Sequence, residues 1–250
     1  MYTISLTEAR VADTSRVGAK AATLGEIASR GYSVPNGFVI LPLSWEEMHL
    51  TKAVVEISER ASLLRGERFA VRSSAVVEDG ATAAWAGQFM TLLDVERGAL
   101  VEAARQISHS HTLERAKVYG EAVGVQQNAV IPVIVQELLA PEKAGVCFTA
   151  HPVSGDVAVG VIEAVTGRGE NLVDGTQTPD TYEVRKDSLD AKVVNRAMAS
   201  ATDVLESEEV KLIMRIAKEL EDYLGHPQDV EWALKDGVCW VLQSRPVTTL

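Results

Sequence analysis

The chain has 250 residues, which is enough for one large domain or two packed subdomains, and its 46% hydrophobic and 24% charged residues are typical of a globular protein. Its 24 Lys and Arg residues against 35 Asp and Glu residues give a formal net charge of −11, which argues against a nucleic-acid-binding or anionic-membrane surface. The two cysteines, Cys147 and Cys239, lie in unrelated contexts and suggest neither a zinc site nor a disulfide framework.

The first half of the chain mixes helical and extended patterns. Apolar spacing predicts a helix over residues 19–30, with Gly31 as its C-terminal stop. Strands are predicted within 34–41 and 68–75, and a second helix is predicted over 98–123. The N-terminus has no apolar signal core and no apolar run is long enough to span a bilayer, so we expect a cytoplasmic protein without a membrane partner.

The second half is richer in strands. Apolar runs predict strands over 131–139, 144–150 and 158–165. Ser207 is expected to cap a helix that stops near Gly225, and a closing hairpin follows it. Because the strands and helices do not alternate strictly, the pattern favours an α+β fold with mostly antiparallel sheets over a doubly wound parallel sheet.

The closing hairpin, DVEWALKDGVCWVLQSRP, carries polar side chains on otherwise apolar strands. Carboxylate and amide oxygens, as on Glu231 and Gln243, are ligands suited to Mg²⁺. Arg245 is suited to the phosphate that accompanies such a metal. The alternative is a surface salt bridge between Asp229 or Glu231 and Arg245, and the hairpin taken alone slightly favours it.

The turn of the hairpin decides which side chains share a face. A two-residue Asp-Gly turn would pair Glu231 with Leu242 and turn Gln243 to the other face. We therefore predict a three-residue loop, Lys235–Gly237, with Gly237 in a left-handed conformation. This loop pairs Asp229 with Gln243 and brings Glu231 and Gln243 to one side.

Other candidate residues are weaker when each is taken singly. Lys20 sits in the first turn of a helix, where a phosphate is favoured, and Arg72 precedes small residues whose main chain could approach an anion. Gly87 could allow a close backbone approach to a ligand, and Thr91 could donate to a phosphate or ribose. The strand end at 135–141 could meet an adenine edge. The structural alternatives are that Lys20 and Arg72 are solvated cations, that Gly87 is a turn glycine and that 135–141 is the end of a core strand. The five histidines do not have the spacing of metal ligands.

Together and in order, five stretches carry a resemblance to a known family. They are VGAKAATLGEIASRGYSVPNGFVI, VRSSAVVEDGATAAWAGQFMTLLDV, VQELLAPEKAGVCFTAHPVSGD, GRGENLVDGTQTPDTYEV and QDVEWALKDGVCWVLQSRP. They resemble the nucleotide-binding domain of the pyruvate phosphate dikinase and phosphoenolpyruvate synthase family, which rifampicin phosphotransferases share. The resemblance implies an ATP-grasp fold, with N-terminal and C-terminal subdomains over 1–125 and 126–250 that enclose a nucleotide cleft.

The resemblance also implies roles for individual residues. Lys20 and Arg72 would contact the phosphates of ATP, and Gly87 and Thr91 would line the phosphate and ribose side. Gln136, Glu137 and Leu139 would contact adenine. Glu231 and Gln243 would bind Mg²⁺, and Arg245 would stabilise the transferred phosphoryl group. Lys20, Arg72 and Arg245 would thus be the catalytic set, with Asp229 and Glu170 as their neighbours. The sequence departs from the family in a short segment between Pro42 and Phe69 and in Arg168, which replaces the leucine of the usual Gly-Leu-Gly-Glu.

Family members continue into a swivelling domain that carries a phosphorylated histidine, and none of the histidines here lies in that Gly-rich Ser-His context. The resemblance therefore implies an ATP- and Mg-dependent phosphotransferase that acts as one subunit of a split enzyme, with a separate phosphohistidine carrier as partner. The alternatives are a self-contained kinase of a small molecule and a protein that binds ATP without turnover.

Overall fold

The computed structural model describes residues 1–75, 90–110, 130–169, 172, 177–196 and 203–247. The chain divides into two compact units. Unit 1 comprises Met1–Gly31 and Pro35–Leu138, and unit 2 comprises Tyr32–Val34 and Leu139–Leu250. In the part of the chain that is described, no helix is long and apolar enough to cross a membrane.

Unit 1 is built on an antiparallel sheet whose strand order is β1-β2-β5-β3-β4. Its strands are β1 (Thr3–Ser5), β2 (Gly37–Ile40), β3 (Arg68–Ser73), β4 (Thr91–Glu96) and β5 (Val133–Glu137). Its helices are α1 (Thr14–Val17), α2 (Ala19–Ser29), α3 (Leu50–Leu63) and α4 (Leu100–Ser108), with short 3-10 turns at Leu6–Glu8, Val11–Asp13, Pro42–Trp45 and Arg97–Ala99.

One face of this sheet forms the core of unit 1. Phe69 and Val71 of β3 pack in one cluster with Ile57 of α3 and with Leu100 and Ile107 of α4, all of them fully or almost fully buried. Because side chains alternate along a strand, the intervening residues of β3 point to the other face of the sheet. Since Phe69 and Val71 point into the core, Arg72 points to the opposite face of the sheet.

Glu56 of α3 anchors the first strand. Its Oε1 accepts hydrogen bonds from the main-chain N–H of Tyr2 (2.9 Å), the N–H of Thr3 (2.7 Å) and the hydroxyl of Thr3 (2.7 Å). Burial acts to raise the pKa of the Glu56 carboxyl, but these hydrogen bonds outweigh it and the pKa is lowered. The ionised form is therefore the one that stabilises the fold.

We expect Glu56→Ala to lower the free energy of unfolding by about 1–3 kcal/mol at neutral pH, because β1 loses its charged acceptor. Since the folded-state pKa lies below the ordinary value of 4.5, this contribution is present above that value and is lost as the pH falls through the folded-state pKa. Urea unfolding of both proteins between pH 7 and pH 3 measures the difference. Glu59→Ala, an exposed position on the same helix, is the matched control, and an equal loss in both variants would contradict the anchor.

Unit 2 is built on a second antiparallel sheet, with the strand order β11-β10-β6-β7-β8-β9. The strands are β6 (Lys143–Phe148), β7 (Val159–Thr166), β8 (Asp180–Arg185), β9 (Ala191–Asn195), β10 (Gln228–Lys235) and β11 (Val238–Pro246). The helix α5 (Ser207–Leu224) is capped by Glu206 and not by Ser207 as predicted, and it ends at Gly225, which has a left-handed conformation.

Helix α5 covers one side of the second sheet, which we call the helix side. The helix buries Val210, Ile213, Met214, Ala217 and Leu220. Ion pairs from Lys143 to Glu209 (2.6 Å) and from Lys186 to Glu221 (2.6 Å) join the sheet to the helix. Alternation along β10 therefore leaves Asp229 and Glu231 on the opposite side of the sheet.

The predicted α+β fold with two mostly antiparallel sheets is confirmed by this topology. The helix predicted over 98–123 is described only as far as Ser110, and α4 ends at Ser108. The predicted subdomain boundary between residues 125 and 126 lies outside the described residues. Strand β5 belongs to unit 1 because β2 and β3 pair with its two edges.

Candidate functional site

The start of α2 in unit 1 is fastened to the end of β3. The main-chain N–H of Ala21 donates to Ser74 Oγ (3.0 Å), and the N–H of Ala19 donates to the carbonyl of Ala75 (3.0 Å). The N-cap residue is Gly18, which has no side chain to offer. Ser74 therefore caps the helix from a distant part of the chain, and the segment that follows Arg72 is held against the helix.

Lys20 lies in this first turn and only 7% of it is exposed. The sequence predicted that the N–H groups of the helix terminus and the lysine would bind a phosphate together. Two of those groups, from Ala19 and Ala21, already have protein acceptors. An anion at this turn would therefore have to rely chiefly on the ammonium group of Lys20.

Arg72 and Thr91 are direct neighbours across strands β3 and β4. On its other side Arg72 pairs with Ile134 of β5, and Ala70 pairs with Gln136. Arg72 and Gln136 therefore lie on the same face of the sheet at diagonal positions, which are about 7–8 Å apart in an antiparallel pair. The structure brings together three of the residues predicted from the sequence on the face opposite the core.

Glu137 lies on the other face of the same strand. Its Oε1 accepts hydrogen bonds from the main-chain N–H groups of Arg65 (2.5 Å) and Gly66 (3.1 Å). Its own N–H donates to the carbonyl of Asn36 (2.8 Å). The Glu137 carboxylate thus binds the segment that leads into β3. A contact between Glu137 and adenine would therefore have to use the main-chain carbonyl of Glu137. Leu139 is partly buried at the start of the main segment of unit 2.

The turn of the closing hairpin differs from the prediction. Lys235 pairs with Val238, so the loop has the two residues Asp236 and Gly237. Both have positive φ angles, 52° and 73°, as the common two-residue hairpin turn requires. The predicted three-residue loop Lys235–Gly237 is therefore wrong, because the Asp-Gly pair satisfies the tighter turn without an extra residue.

A β-bulge farther along the hairpin restores the predicted face. Trp232 pairs with Val241, but Glu231 pairs with Gln243, so Leu242 is an extra residue in β11. The bulge shifts the register by one, and the side chains of Glu231 and Gln243 consequently lie on the same side of the sheet. Asp229 pairs with Arg245 and not with Gln243, so that part of the predicted register is wrong. We call the side formed by Asp229, Glu231, Gln243 and Arg245 the carboxylate face.

Asp229 and Arg245 form an ion pair in which Arg245 Nε donates to Asp229 Oδ2 over 2.8 Å. Asp229 is only 7% exposed, and among the described residues its Oδ1 is buried without a hydrogen-bond partner. Burial raises the pKa of the Asp229 carboxyl, Arg245 lowers it, Glu231 raises it, and the net shift is upward. The salt bridge considered from sequence is thus present, and it fixes the guanidinium through Nε.

Glu163 of β7 is a further carboxylate on this face that the sequence analysis did not single out. It pairs with Val146 of β6, which pairs in turn with Glu231, so Glu163, Glu231 and Gln243 lie in one row across the sheet. Burial raises the pKa of the Glu163 carboxyl, and the charge of Asp229 raises it further. The available signal was a lone charge in the apolar run AVGVIEAV.

The carboxylate face fits a magnesium ion that is shared with phosphate. Glu231 and Gln243 offer oxygen ligands, and the unpartnered Oδ1 of Asp229 is a buried acceptor beside them. Within the described ranges no group of three or more His, Cys, Asp or Glu side chains could hold a metal ion. Magnesium is commonly held by one or two carboxylates and completed by water and substrate phosphates, so the site fits a metal that arrives with a nucleotide.

Two of the residues named from the sequence, Gly87 and Glu170, lie outside the described residues. Seven of the others form two groups. Lys20, Arg72, Thr91 and Gln136 belong to unit 1, and Glu231, Gln243 and Arg245 belong to unit 2.

Residues 46–250 match the family described as the pyruvate phosphate dikinase AMP/ATP-binding domain. The chain therefore belongs to this family, as its resemblance predicted.

Curated relatives agree with this assignment. A probable phosphoenolpyruvate synthase of Archaeoglobus fulgidus is 32% identical over 95% of this chain and 40% of the relative. A rifampicin phosphotransferase of Streptomyces sviceus is 30% identical over 100% of this chain and 36% of the relative. The chain thus spans less than half the length of either protein.

Among solved structures, a dinucleotide-forming acetyl-coenzyme A synthetase 1 of Ca. Korarchaeum cryptofilum aligns with a TM-score of 0.49 and 12% identity, over 97% of this chain and 92% of that one.

Proposed function

We propose that this chain binds Mg²⁺–ATP and transfers a phosphoryl group from it to a histidine on a separate carrier protein. The observation that carries the proposal is the carboxylate face, where a bulge places Glu231 beside Gln243 and Asp229 holds Arg245 in place. The relatives named as phosphoenolpyruvate synthase and rifampicin phosphotransferase support a phosphoryl-transfer reaction.

In this proposal each side chain has a defined task. Lys20 and Arg72 neutralise phosphate oxygens, Thr91 donates to phosphate or ribose, and Gln136 with the main chain of Glu137 and Leu139 meets the base. Glu231 and Gln243 hold the magnesium ion, which neutralises phosphate charge when it is bound. Arg245 stabilises the phosphoryl group during transfer, and Asp229 fixes the direction of its guanidinium through Nε.

His151 is a poor acceptor for a stable phosphoryl group. Nδ1 of His151 accepts hydrogen bonds from the main-chain N–H groups of Val153 (3.3 Å) and Ser154 (3.1 Å). Its Nε2 lies 3.7 Å from a carboxylate oxygen of Glu183, whose charge opposes the approach of a phosphate. The geometry around His151 therefore favours an acceptor other than this histidine.

The test is incubation of the purified chain with Mg²⁺ and ATP labelled at the β- or γ-phosphate, with and without the separately purified histidine-carrier region of a full-length relative. We expect ATP binding and slow hydrolysis by the chain alone, and acid-labile label on the carrier only when both proteins are present. A carrier with its histidine replaced by alanine is the control.

Mass spectrometry of the chain separates the outcomes. Stoichiometric acid-labile phosphate on His109, His111 or His151 would contradict the carrier and favour a self-contained kinase. Tight ATP binding with no hydrolysis and no transfer to any acceptor would favour a protein that binds ATP without turnover.

A further inference from the structure

Trp240 lies at the end of the carboxylate face that is nearer the hairpin turn. It pairs with Ala233 of β10, and Ala233 pairs with Ala144 of β6. Ala233 and Glu231 are two residues apart on one strand, so this row lies beside the row of Glu231 and Gln243 and on the same side of the sheet. The separation of the two rows is roughly 7 Å, which is about the span of a ribose.

Trp240 is the large side chain of this row, since its neighbours in β10 and β6 are alanines. The turn after β7 brings Gly169 over Ala144, where a Cβ on Gly169 would lie 3.4 Å from that of Ala144. Trp240 itself remains partly exposed. An aromatic surface beside candidate phosphate and metal ligands thus has small residues, Ala233, Ala144 and Gly169, next to it in the described part of the chain.

The indole N–H of Trp240 is buried and lacks a hydrogen-bond partner within the described part of the chain. The N–H is thus not the exposed part of Trp240, so a ligand on this side would meet the carbon ring and not the donor. Trp232 has an unpartnered N–H as well, but it is 1% exposed and lies on the helix side. Of these two tryptophans only Trp240 shares a face with the candidate site.

We propose that Trp240 supplies the aromatic surface on which the base of the bound nucleotide stacks. This inference rests on the proposed function and adds a residue that the sequence analysis did not assign to it. Base stacking on an aromatic ring tolerates any base, because every base has a π-face. Trp240 therefore contributes affinity for the nucleoside part of the ligand and none for its phosphates.

The test compares two ligands, Mg²⁺–ATP and Mg²⁺–tripolyphosphate, by isothermal titration calorimetry. We expect Trp240→Ala to weaken ATP binding by about 5- to 100-fold and to leave tripolyphosphate binding unchanged. Trp240→Phe keeps a ring and should retain most of the ATP affinity. Glu231→Gln, on the metal side, should weaken both ligands.

Trp232→Phe is the matched control on the helix side and should change neither affinity. Equal weakening of both ligands by Trp240→Ala, or no change in either, would overturn the stacking role. If that variant does not fold, Trp240→Leu in the same assay decides the question, since it keeps apolar volume without a π-face. Wild-type protein that binds neither ligand would overturn the proposed function, whereas ATP binding insensitive to Trp240 would overturn this inference alone.

Discussion

Replacement of Arg245 by alanine is expected to reduce phosphoryl transfer by roughly 10³- to 10⁵-fold, the range known for arginines that serve the transition state. ATP affinity should change only slightly, because such a residue acts mainly on charge that develops during transfer. Lys20→Ala and Arg72→Ala should weaken binding as well. Single-turnover transfer to the carrier and calorimetric ATP binding measure the two effects separately.

The ion pair with Asp229 makes a second comparison necessary. Arg245→Ala also leaves a buried carboxylate without its cation, which raises its pKa and perturbs the hairpin. Arg245→Lys keeps the charge without the guanidinium and should still transfer poorly. Asp229→Asn keeps the guanidinium with a weaker partner and should lose less activity than either. Transfer by Arg245→Ala at the wild-type rate would reduce Arg245 to a structural ion pair.

The closing hairpin shows how far local patterns determine a site. Alternation placed Asp229 and Glu231 on one face, and this holds in the structure. The turn prediction was wrong, yet Glu231 and Gln243 share a face because a bulge at Leu242 replaces the extra loop residue. One extra residue has the same effect on the register whether it lies in the loop or within β11. The requirement that Glu231 and Gln243 share a face therefore cannot tell which of the two positions holds the extra residue.

Other features depended on contacts that no local pattern contains. Glu163 joins the carboxylate face only through the pairing of β7 with β6 and of β6 with β10. Ser74 caps α2 although the two are far apart in sequence. The carboxylate of Glu137, expected near adenine, instead binds the main chain of Arg65 and Gly66. In each case the sequence contains a residue of suitable chemistry, and the tertiary fold decides what it contacts.

Replacement of Gly18 by alanine is expected to be the most damaging change in unit 1, with a loss of about 4 kcal/mol or more in the free energy of unfolding. Gly18 has φ of +80°, and a Cβ at this position would lie 1.5 Å from the carbonyl oxygen of Ser74. The clash is with main chain, so no side chain can move aside to relieve it. The start of α2 must withdraw from Ser74 and Ala75, and Lys20 is displaced with it.

Gly31→Ala separates this close approach from backbone strain. Gly31 has φ of +90°, but nothing lies within 4 Å of the Cβ that it would gain, so its replacement should cost only the strain of a left-handed residue, about 1–2 kcal/mol. Urea unfolding and ATP titration of both variants provide the measurement. We expect Gly18→Ala to lose both stability and ATP affinity, and Gly31→Ala to lose a little stability and no affinity. Equal stability losses would mean that the close contact between α2 and Ser74 is not the reason for glycine at position 18. Full ATP affinity in Gly18→Ala would mean that nucleotide binding does not depend on the position of Lys20.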